Sequence, residues 1–294
     1  MADPPRWKRD DIELCDSFEY METTTFATTG GQVWGAARRL LDYLERTRDA
    51  TGLDRPGVNV LELGSGTGFL GMTIARNARR DVGVVALTEM EAGGALEWLK
   101  KCVAKNEGKG LWRDGAVTCA ACDWNEYARE DEERRATGTD AAPGPSVIDS
   151  TPWDLMIGSD LVYDDAGTRA LPKVMRALLV RAKRARARAR DEVTASAADA
   201  DADADAASRR LALEPAFIYC HTLWRYELRD VDFFAQLTAC GLAFEEVAEP
   251  GAPPPPEPPE PFAELFPEQR AAVFRVTLAP PRDEDARVRG GVGA

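Results

Sequence analysis

Residues 58–71 read VNVLELGSGTGFLG and combine an apolar run, an acidic residue, a glycine-rich turn and the start of a helical pattern. The apolar run over 58–63 is typical of a strand that is buried on both faces of a parallel sheet. The glycines of the turn at 64–68 carry no Cβ, so the chain can bend sharply and a ligand can approach the backbone. The helical pattern over 69–76 directs its unpaired N–H groups into that turn. The segment therefore predicts a strand–turn–helix unit with a nucleotide-type cofactor pocket at the carboxyl end of the first strand.

The glycines alone do not identify the cofactor. Over residues 66–71 they also satisfy the GxGxxG spacing of dinucleotide-binding proteins. Glu62 is an acid of the kind that S-adenosylmethionine loops carry before the glycines, and a second predicted strand over 82–88 ends at Glu89. A carboxylate at Glu89 suits the ribose hydroxyls of either cofactor. The choice between S-adenosylmethionine and NAD therefore depends on the later segment 153–163.

Composition limits the classes of protein that fit. The 294 residues are 44% hydrophobic, which is enough for a full core, and carry a formal net charge of −13. An acidic chain disfavours non-specific nucleic-acid binding, although it suits a basic protein surface as substrate. The first twenty residues contain no apolar signal-peptide region, and no apolar run approaches the length of a membrane span. We therefore expect a cytoplasmic or nuclear protein with no membrane partner.

The cysteines and the histidine give little reason to expect a metal. The six cysteines are scattered, which is typical of a reducing compartment. Cys119 and Cys122 form one CxxC pair, but no second ligand pair accompanies it, and His221 is the sole histidine. Buried thiols on a strand are favoured over a redox or structural pair. We expect no metal cofactor.

Apolar runs alternate with helical patterns from about residue 35 to 247, which is typical of βαβ units and a parallel sheet. The predicted fold class is therefore α/β and Rossmann-like, with a mostly parallel sheet and helices on both faces. Seven strands are predicted, at 58–63, 82–88, 116–121, 154–158, 216–220, 244–247 and 272–278. Helices are predicted at 36–47, 69–76 and 231–239 and around the apolar positions of 96–103 and 171–179.

Three low-complexity inserts interrupt this pattern, at about 129–150, 181–210 and 250–268. They contain charged and Ala/Arg-rich tracts, a DADADADA run and a proline-rich stretch, so we expect solvated loops that are partly helical or disordered. Contact of the basic block with RNA or an acidic partner is the alternative. We expect an N-terminal extension over 1–29, one domain over 30–280 and a C-terminal tail over 281–294.

With Asp160-Leu161-Val162-Tyr163 after the fourth strand, the chain resembles the seven-strand protein-lysine methyltransferases of the methyltransferase-like type. The resemblance covers roughly 30–127, 152–180 and 214–248. Its motifs match here as GxxxW at 30–34, the glycine loop at 61–68, Asp123-Trp124 and the DxxY segment at 160–163. Asn125 stands where the family carries glycine. The resemblance implies a class I methyltransferase fold and S-adenosylmethionine as cofactor.

Roles for the cofactor-binding residues follow from their chemistry. Glu62 can bind the ammonium of the cofactor, Glu89 its ribose diol, and Asp123 the adenine amine, whereas Trp34 and Trp124 can supply apolar walls. A simple core role stays open for both tryptophans. The predicted cofactor-binding residues are Trp34, Glu62, Gly64, Ser65, Gly66, Glu89, Asp123, Trp124 and Ser159.

Asp160 and Tyr163 are the predicted catalytic residues, which hold the target amine in line with the methyl group. Methyl transfer needs a neutral amine, and a carboxylate favours the ammonium form, so Asp160 suits an anchor better than a base. Alternatives are a helix N-cap for Asp160 and simple packing for Tyr163. His221 either lines the acceptor channel or is a satisfied strand-end histidine.

The sequence therefore predicts an S-adenosylmethionine-dependent protein N-methyltransferase acting on lysine. Arginine, histidine or small-molecule acceptors, a non-catalytic cofactor-binding module and an NAD oxidoreductase are the alternatives. The resemblance implies a protein substrate such as a chaperone or a translation factor, and we expect a monomer.

Overall fold

The computed structural model describes residues 6–24, 30–78, 82–138, 146–196, 214–247 and 270–280. Its strands are β1 (Val60–Leu63), β2 (Val85–Glu89), β3 (Val117–Ala121), β4 (Leu155–Ser159), β5 (Phe217–Leu223), β6 (Leu242–Glu246) and β7 (Arg270–Leu278). They form a seven-stranded sheet in the order β3-β2-β1-β4-β5-β7-β6. The first five strands pair in parallel, whereas β7 lies antiparallel to both β5 and β6.

Ten α-helices connect and cover the strands in the described ranges. They are α1 (Ser17–Thr23), α2 (Gly35–Arg46), α3 (Arg48–Thr51), α4 (Phe69–Asn77), α5 (Ala95–Ala104), α6 (Trp124–Ala136), α7 (Val147–Ser150), α8 (Asp165–Arg169), α9 (Leu171–Ser196) and α10 (Glu227–Ala239). None of the helices in these ranges combines the length and apolar character needed to cross a membrane.

The sheet is buried on both faces because side chains alternate along each strand. In β1, Val60 belongs to the apolar cluster that contains Leu40 of α2 and Leu99 of α5. Leu61 belongs to the opposite cluster, together with Val174 of α9. All four residues of β1 are buried, as expected for a central parallel strand. The predicted α/β fold, with seven strands, a mostly parallel sheet and helices on both faces, is confirmed.

Strand boundaries differ from the predicted ones by a few residues. β2 begins at Val85 instead of residue 82, and β6 spans 242–246 instead of 244–247. β5 continues past Cys220 to Leu223, because β7 pairs with it along its whole length, up to Leu223 opposite Arg270. This extension matters because it carries the end of β5 beside the end of β4.

The inserts at 129–150 and 181–210, for which we expect partly helical or disordered loops, are helical over much of their described length. Residues 129–136 belong to α6, and residues 181–196 continue α9. Alanine, arginine and glutamate are strong helix formers, and α9 buries Ala182 and Arg186 against the body of the protein. Residues 139–145 and 197–213, and the proline-rich insert at 250–268, lie outside the described residues.

Arg181 joins three helices on this side of the sheet. Its guanidinium donates to Asp149 of α7 and to the hydroxyl of Tyr127 of α6, and lies 3.2 Å from the Asp131 carboxylate. The Tyr127 hydroxyl in turn donates to Asp149 over 2.8 Å. Burial raises the pKa of Tyr127 to about 12, so its hydroxyl remains a neutral donor. Arg181, the first residue of the basic tract, is therefore a cation that joins helices of the fold.

We expect Arg181→Met to lower the free energy of unfolding by about 3 kcal/mol or more, because Asp131 and Asp149 would be left as buried carboxylates without their cation. Urea denaturation of the whole protein measures this change. Lys183→Met is the matched control, since it removes an exposed cation from the same helix and should change the free energy by less than about 0.5 kcal/mol. Equal effects of the two variants would show that the Arg181 cluster does not stabilise the fold.

Candidate active site

An open cleft of about 1110 Å³ lies at the carboxyl ends of β1, β2 and β4. All eleven predicted site residues line this cleft. They are Trp34, Glu62, Gly64, Ser65, Gly66, Glu89, Asp123, Trp124, Ser159, Asp160 and Tyr163. The structure therefore brings the set together, while the role of each residue stays a prediction.

The glycine turn lies against the wall of the cleft. Gly64 and Gly66 have φ angles of 58° and 55°, in the left-handed region that glycine tolerates. A Cβ on Gly64 would lie 2.5 Å from a methyl group of Leu161, and one on Gly66 would lie 3.2 Å from the Gly30 carbonyl oxygen. Glycine is thus required here both by the backbone conformation and by the space available.

Glu62 is a buried carboxyl group on the floor of the cleft. Its Oε2 accepts a hydrogen bond of 2.9 Å from the backbone N–H of Gly71, in the first turn of α4. Burial raises the pKa of Glu62 to about 8, against the opposing effect of the Gly71 bond. The group is therefore mostly protonated at neutral pH. A cationic ligand placed beside it would favour its ionised form.

Glu89 presents a second carboxyl group to the same cleft, at the end of β2. Its Oε1 accepts from the N–H of Gly66 over 2.8 Å, and its Oε2 accepts from the N–H of Met90 over 3.2 Å. Burial raises the pKa of Glu89 above its ordinary value, although these two bonds oppose the shift. Glu89 thus links the tip of β2 to the glycine turn and keeps a carboxyl group at the cofactor side.

Protonation of Glu62 gives a testable pH dependence of stability. The folded protein retains a proton that the unfolded chain releases between about pH 4.5 and pH 8. The contribution of this proton to the free energy of unfolding is therefore full below pH 4.5. It is lost as the pH rises to 8, by at most about 1.4 kcal/mol per pH unit. We expect Glu62→Gln, whose amide oxygen can still accept from Gly71, to remove this loss.

Urea denaturation of both proteins from pH 5 to pH 9 measures the effect, because the other titrating groups cancel in the comparison. The advantage of Glu62→Gln over the native protein should grow up to about pH 8 and then level off. Glu97→Gln, at an exposed position on α5, is the control and should follow the native curve. Parallel curves for Glu62→Gln and the native protein would contradict a neutral Glu62.

Asp123 and Trp124 stand where β3 leads into α6. Asp123 caps this helix, since its Oδ1 accepts from the N–H groups of Asn125 and Glu126 over 2.9 and 3.1 Å. Trp124 is the first residue of α6 and packs partly against the apolar cluster of that face while lining the cleft. The capping bonds fix the start of α6, and with it the positions from which the side chains of Asp123 and Trp124 extend.

Asp160 does not cap a helix, so that alternative is wrong; the cap of α8 is Asp164, whose Oδ1 accepts from the N–H of Gly167 over 2.8 Å. Asp160 has a φ of 50°, an uncommon value outside glycine that aspartate tolerates better than most residues. This backbone conformation follows directly on the end of β4, and it turns the carboxylate toward β5.

The Asp160 carboxylate accepts three hydrogen bonds from β5 and the loop after it. Its Oδ1 accepts from the N–H of Thr222 over 2.7 Å, and its Oδ2 accepts from the Thr222 hydroxyl and from Arg225, each over 2.8 Å. The Arg225 guanidinium also lies over the Trp34 ring, 4.9 Å from its centroid. Asp160 is therefore a charge-compensated group that joins β4, β5 and the start of α2.

His221 is the satisfied strand-end histidine, and it is absent from the residues that line the cleft. The Leu161 N–H lies 3.1 Å from the Tyr219 hydroxyl, which lies 3.1 Å from His221 Nδ1. His221 Nε2 lies 2.8 Å from Asp230, which also accepts from the N–H of Trp224. A neutral ring protonated on Nε2 satisfies every group in this chain.

Gln32, Tyr20 and Arg225 are among the residues at or beside the cleft that were not predicted. Gln32 lies inside the GxxxW segment and lines the cleft. Tyr20 of α1 also lines it, and its hydroxyl accepts from the N–H of Gly30 over 3.2 Å. Arg225 binds Asp160, although His221 is the residue of this segment that the sequence offered for the acceptor channel. Only Gln32 had a local signal, because the other two act through partners far away in the chain.

The CxxC pair shows no sign of special chemistry. Cys119 and Cys122 are both free thiols, and burial raises their pKa to about 11 and about 12 respectively. Thiols with raised pKa values are poor nucleophiles and poor metal ligands. Across the described ranges, His, Cys, Asp and Glu side chains form no group of three or more that could hold a metal ion.

The donor set of the cleft fits S-adenosylmethionine. Two buried carboxyl groups, Glu62 and Glu89, suit the cationic and hydroxyl-bearing parts of such a ligand, and the glycine turn leaves room for close approach. The fold and this site define an S-adenosylmethionine-dependent methyltransferase. A family model described as lysine methyltransferase matches residues 18–186, more than half of the chain. The protein belongs to this family, which agrees with the cofactor predicted from the sequence.

Two solved methyltransferases are similar to this chain at low identity and with TM-scores below 0.5. An arsenic(III) S-adenosylmethionine methyltransferase from Chlamydomonas reinhardtii is 15% identical, with a TM-score of 0.40 over 79% of this chain and 67% of that one. An S-adenosylmethionine-dependent O-methyltransferase from Thermotoga maritima is 11% identical, with a TM-score of 0.39 over 91% and 72%. These likenesses do not extend to the acceptor. A comparison with curated protein sequences gives no match.

Proposed function

We propose that this methyltransferase transfers the methyl group of S-adenosylmethionine to the side-chain amine of a lysine in a protein substrate. The observation that carries the proposal is the match to the lysine methyltransferase family model. The open cleft supports it, because Tyr163 lines the cleft and its side chain is partly exposed at the surface. A long, flexible lysine side chain on another protein can enter from that side.

On the cofactor side, the chain's own residues would bind and orient the donor. When bound, S-adenosylmethionine supplies a methyl group on a cationic sulfonium. Glu62 and Glu89 would accept hydrogen bonds from its ammonium and ribose hydroxyls. Asp123 and Trp124 would border the adenine, while Gly64, Ser65 and Gly66 would bring the backbone close, with Trp34 and Ser159 completing the walls.

On the acceptor side, the amine must lose its proton before it can react. A free lysine has a pKa near 10.4, so deprotonation at pH 7 costs roughly 4.6 kcal/mol. An uncompensated carboxylate would increase this cost, since it favours the ammonium form. The ion pair of 2.8 Å between Asp160 and Arg225 reduces that penalty. Asp160 and Tyr163 would then orient the amine, and positioning would supply most of the rate.

The nature of the substrate protein follows from the family resemblance alone. The proposed substrate is a chaperone or a translation factor. The proposed enzyme is a monomer in the cytoplasm or the nucleus.

The direct test incubates the purified protein with cell extract and radiolabelled S-adenosylmethionine, and identifies the labelled residue by mass spectrometry. We expect methylated lysine in a protein. Label on arginine, on histidine or on a small molecule would contradict the lysine assignment. Measurable cofactor binding without any label would instead favour a non-catalytic module, and binding of NAD in place of the sulfonium would favour an oxidoreductase.

A second test addresses Asp160. We expect Asp160→Asn to lower kcat roughly 100-fold, because asparagine tolerates the left-handed backbone but cannot compensate Arg225, so the acceptor side loses its geometry. Calorimetry should show S-adenosylmethionine affinity close to that of the native protein. Asp114→Asn, at an exposed position before β3, is the matched control and should keep full activity. Near-normal turnover of Asp160→Asn would remove Asp160 from the acceptor side.

A further inference from the structure

We propose that an exposed apolar surface beside the cleft binds the segment of the substrate protein that flanks the target lysine, and that this segment is both apolar and basic. We name this surface the docking surface and define it by Trp224, Tyr226, Leu228 and Val231. The inference rests on the proposed function, since it specifies the partner that the acceptor side would receive.

The docking surface lies at the same edge of the sheet as the acceptor side of the cleft. Ser159 at the end of β4 pairs with Cys220 of the parallel strand β5, so the segments that follow both strands emerge side by side. Tyr163, which lines the cleft, belongs to the first segment, and Trp224 belongs to the second. An ion pair of 2.8 Å between Asp165 of α8 and Arg229 of α10 joins the two segments.

The members of the docking surface are unusually exposed for their size and character. The exposed fractions are 51% for Trp224, 85% for Leu228 and 62% for Val231. Leu228 and Val231 are three residues apart on α10 and so share one side of that helix, whereas Phe233 is buried in the core. Exposed apolar patches mark interaction sites, and tryptophan and tyrosine dominate binding energy in them.

The backbone of Trp224 gives a second, independent observation. Its φ of 68° is in the left-handed region, where a bulky residue is a genuine outlier. Hydrogen bonds to buried side chains hold the strained loop. The Trp224 N–H donates to the buried Asp230 over 2.8 Å, and Asp230 is bound by His221. Such strain persists only where surrounding structure imposes it, and it clusters at functional sites. The backbone that carries the exposed indole is therefore held in position by a buried network.

Charge indicates the kind of partner. Exposed aspartates stand at the border of the docking surface, at Asp164 near the cleft and at Asp232 on α10, whereas the charge of Asp165 is compensated by Arg229. The whole chain carries a formal net charge of −13. A segment with lysine or arginine near the target would be attracted to this border, whereas a second copy of the same acidic chain would be repelled. Apolar contact and acidic surroundings together favour an apolar, basic segment.

The test uses a degenerate library of peptides with a central lysine and three randomised positions on each side. The native protein methylates the library with S-adenosylmethionine, and mass spectrometry reads the products. We expect apolar and basic residues to be enriched beside the methylated lysine. The double variant Trp224→Ser/Leu228→Ser should lose the apolar enrichment, and its KM for the best peptide should rise roughly tenfold. Circular dichroism verifies that the variant is folded.

A matched control is available on α1, where Phe18 and Met21 are equally exposed apolar residues. Phe18→Ser/Met21→Ser should retain the native enrichment and KM. The proposal is overturned by methylated products without apolar enrichment, by the same enrichment in the Trp224→Ser/Leu228→Ser variant, or by an equal loss in the α1 control. A dimer in sedimentation that this double variant abolishes would assign the surface to a second copy and also overturn it.

Retention of library peptides on immobilised protein, scored without turnover, separates this inference from the proposed function. Suppose that no lysine is methylated, but that the native protein retains apolar, basic peptides and the Trp224→Ser/Leu228→Ser variant does not. The docking surface then stands and the lysine acceptor is wrong. If lysine is methylated while retention ignores Trp224 and Leu228, the acceptor stands and the docking surface is wrong. If neither occurs, both fail.

Discussion

Two carboxyl groups, Glu62 and Glu89, are buried at the ends of neighbouring parallel strands, and the cofactor side of the cleft is built around them. Burial of a carboxylate is costly, and here backbone N–H groups provide the partners: Gly71 for Glu62, and Gly66 and Met90 for Glu89. These bonds tie the glycine turn and the start of α4 to the two strand ends. Because burial raises the pKa of both groups, a cation entering the cleft would restore the charge that the protein interior disfavours.

The Asp160–Tyr163 segment is joined to β5 and to the loop after it through two separate lines of hydrogen bonds. One line runs from the Asp160 carboxylate to Thr222 and Arg225, and the other from the Leu161 N–H through Tyr219, His221 and Asp230 to the Trp224 backbone. These hydrogen bonds fix the position of the loop after β4 relative to the loop after β5. These bonds tie the segment that carries Asp160 to the loop that carries Trp224.

The sequence predicted the parts of the site that depend on local pattern. Glu62, Glu89, Asp123 and Asp160 all stand where apolar strands end, and parallel strands bring such ends to one edge, so their convergence follows from the strands alone. Residues 181–196 form a continuous helix where the charge alternation predicted a solvated, partly helical or disordered loop, and Arg181 pairs with carboxylates contributed by α6 and α7. The bond between Asp160 and Arg225 joins residues that are 65 positions apart. No local pattern records it, and the same holds for the position of Tyr20 at the cleft.

Charge compensation differs between the two sides of the cleft, and the chemistry proposed here requires this difference. On the cofactor side, Glu62 and Glu89 are bound by neutral backbone N–H groups, so each can still become an anion opposite a cationic ligand. On the acceptor side, Asp160 already faces Arg225, so it adds little attraction for a proton on the incoming amine. An arrangement with the opposite pattern would hold the amine as an unreactive ammonium ion and would bind the sulfonium donor weakly. The placement of one arginine after β5 therefore decides which positive charge the cleft favours.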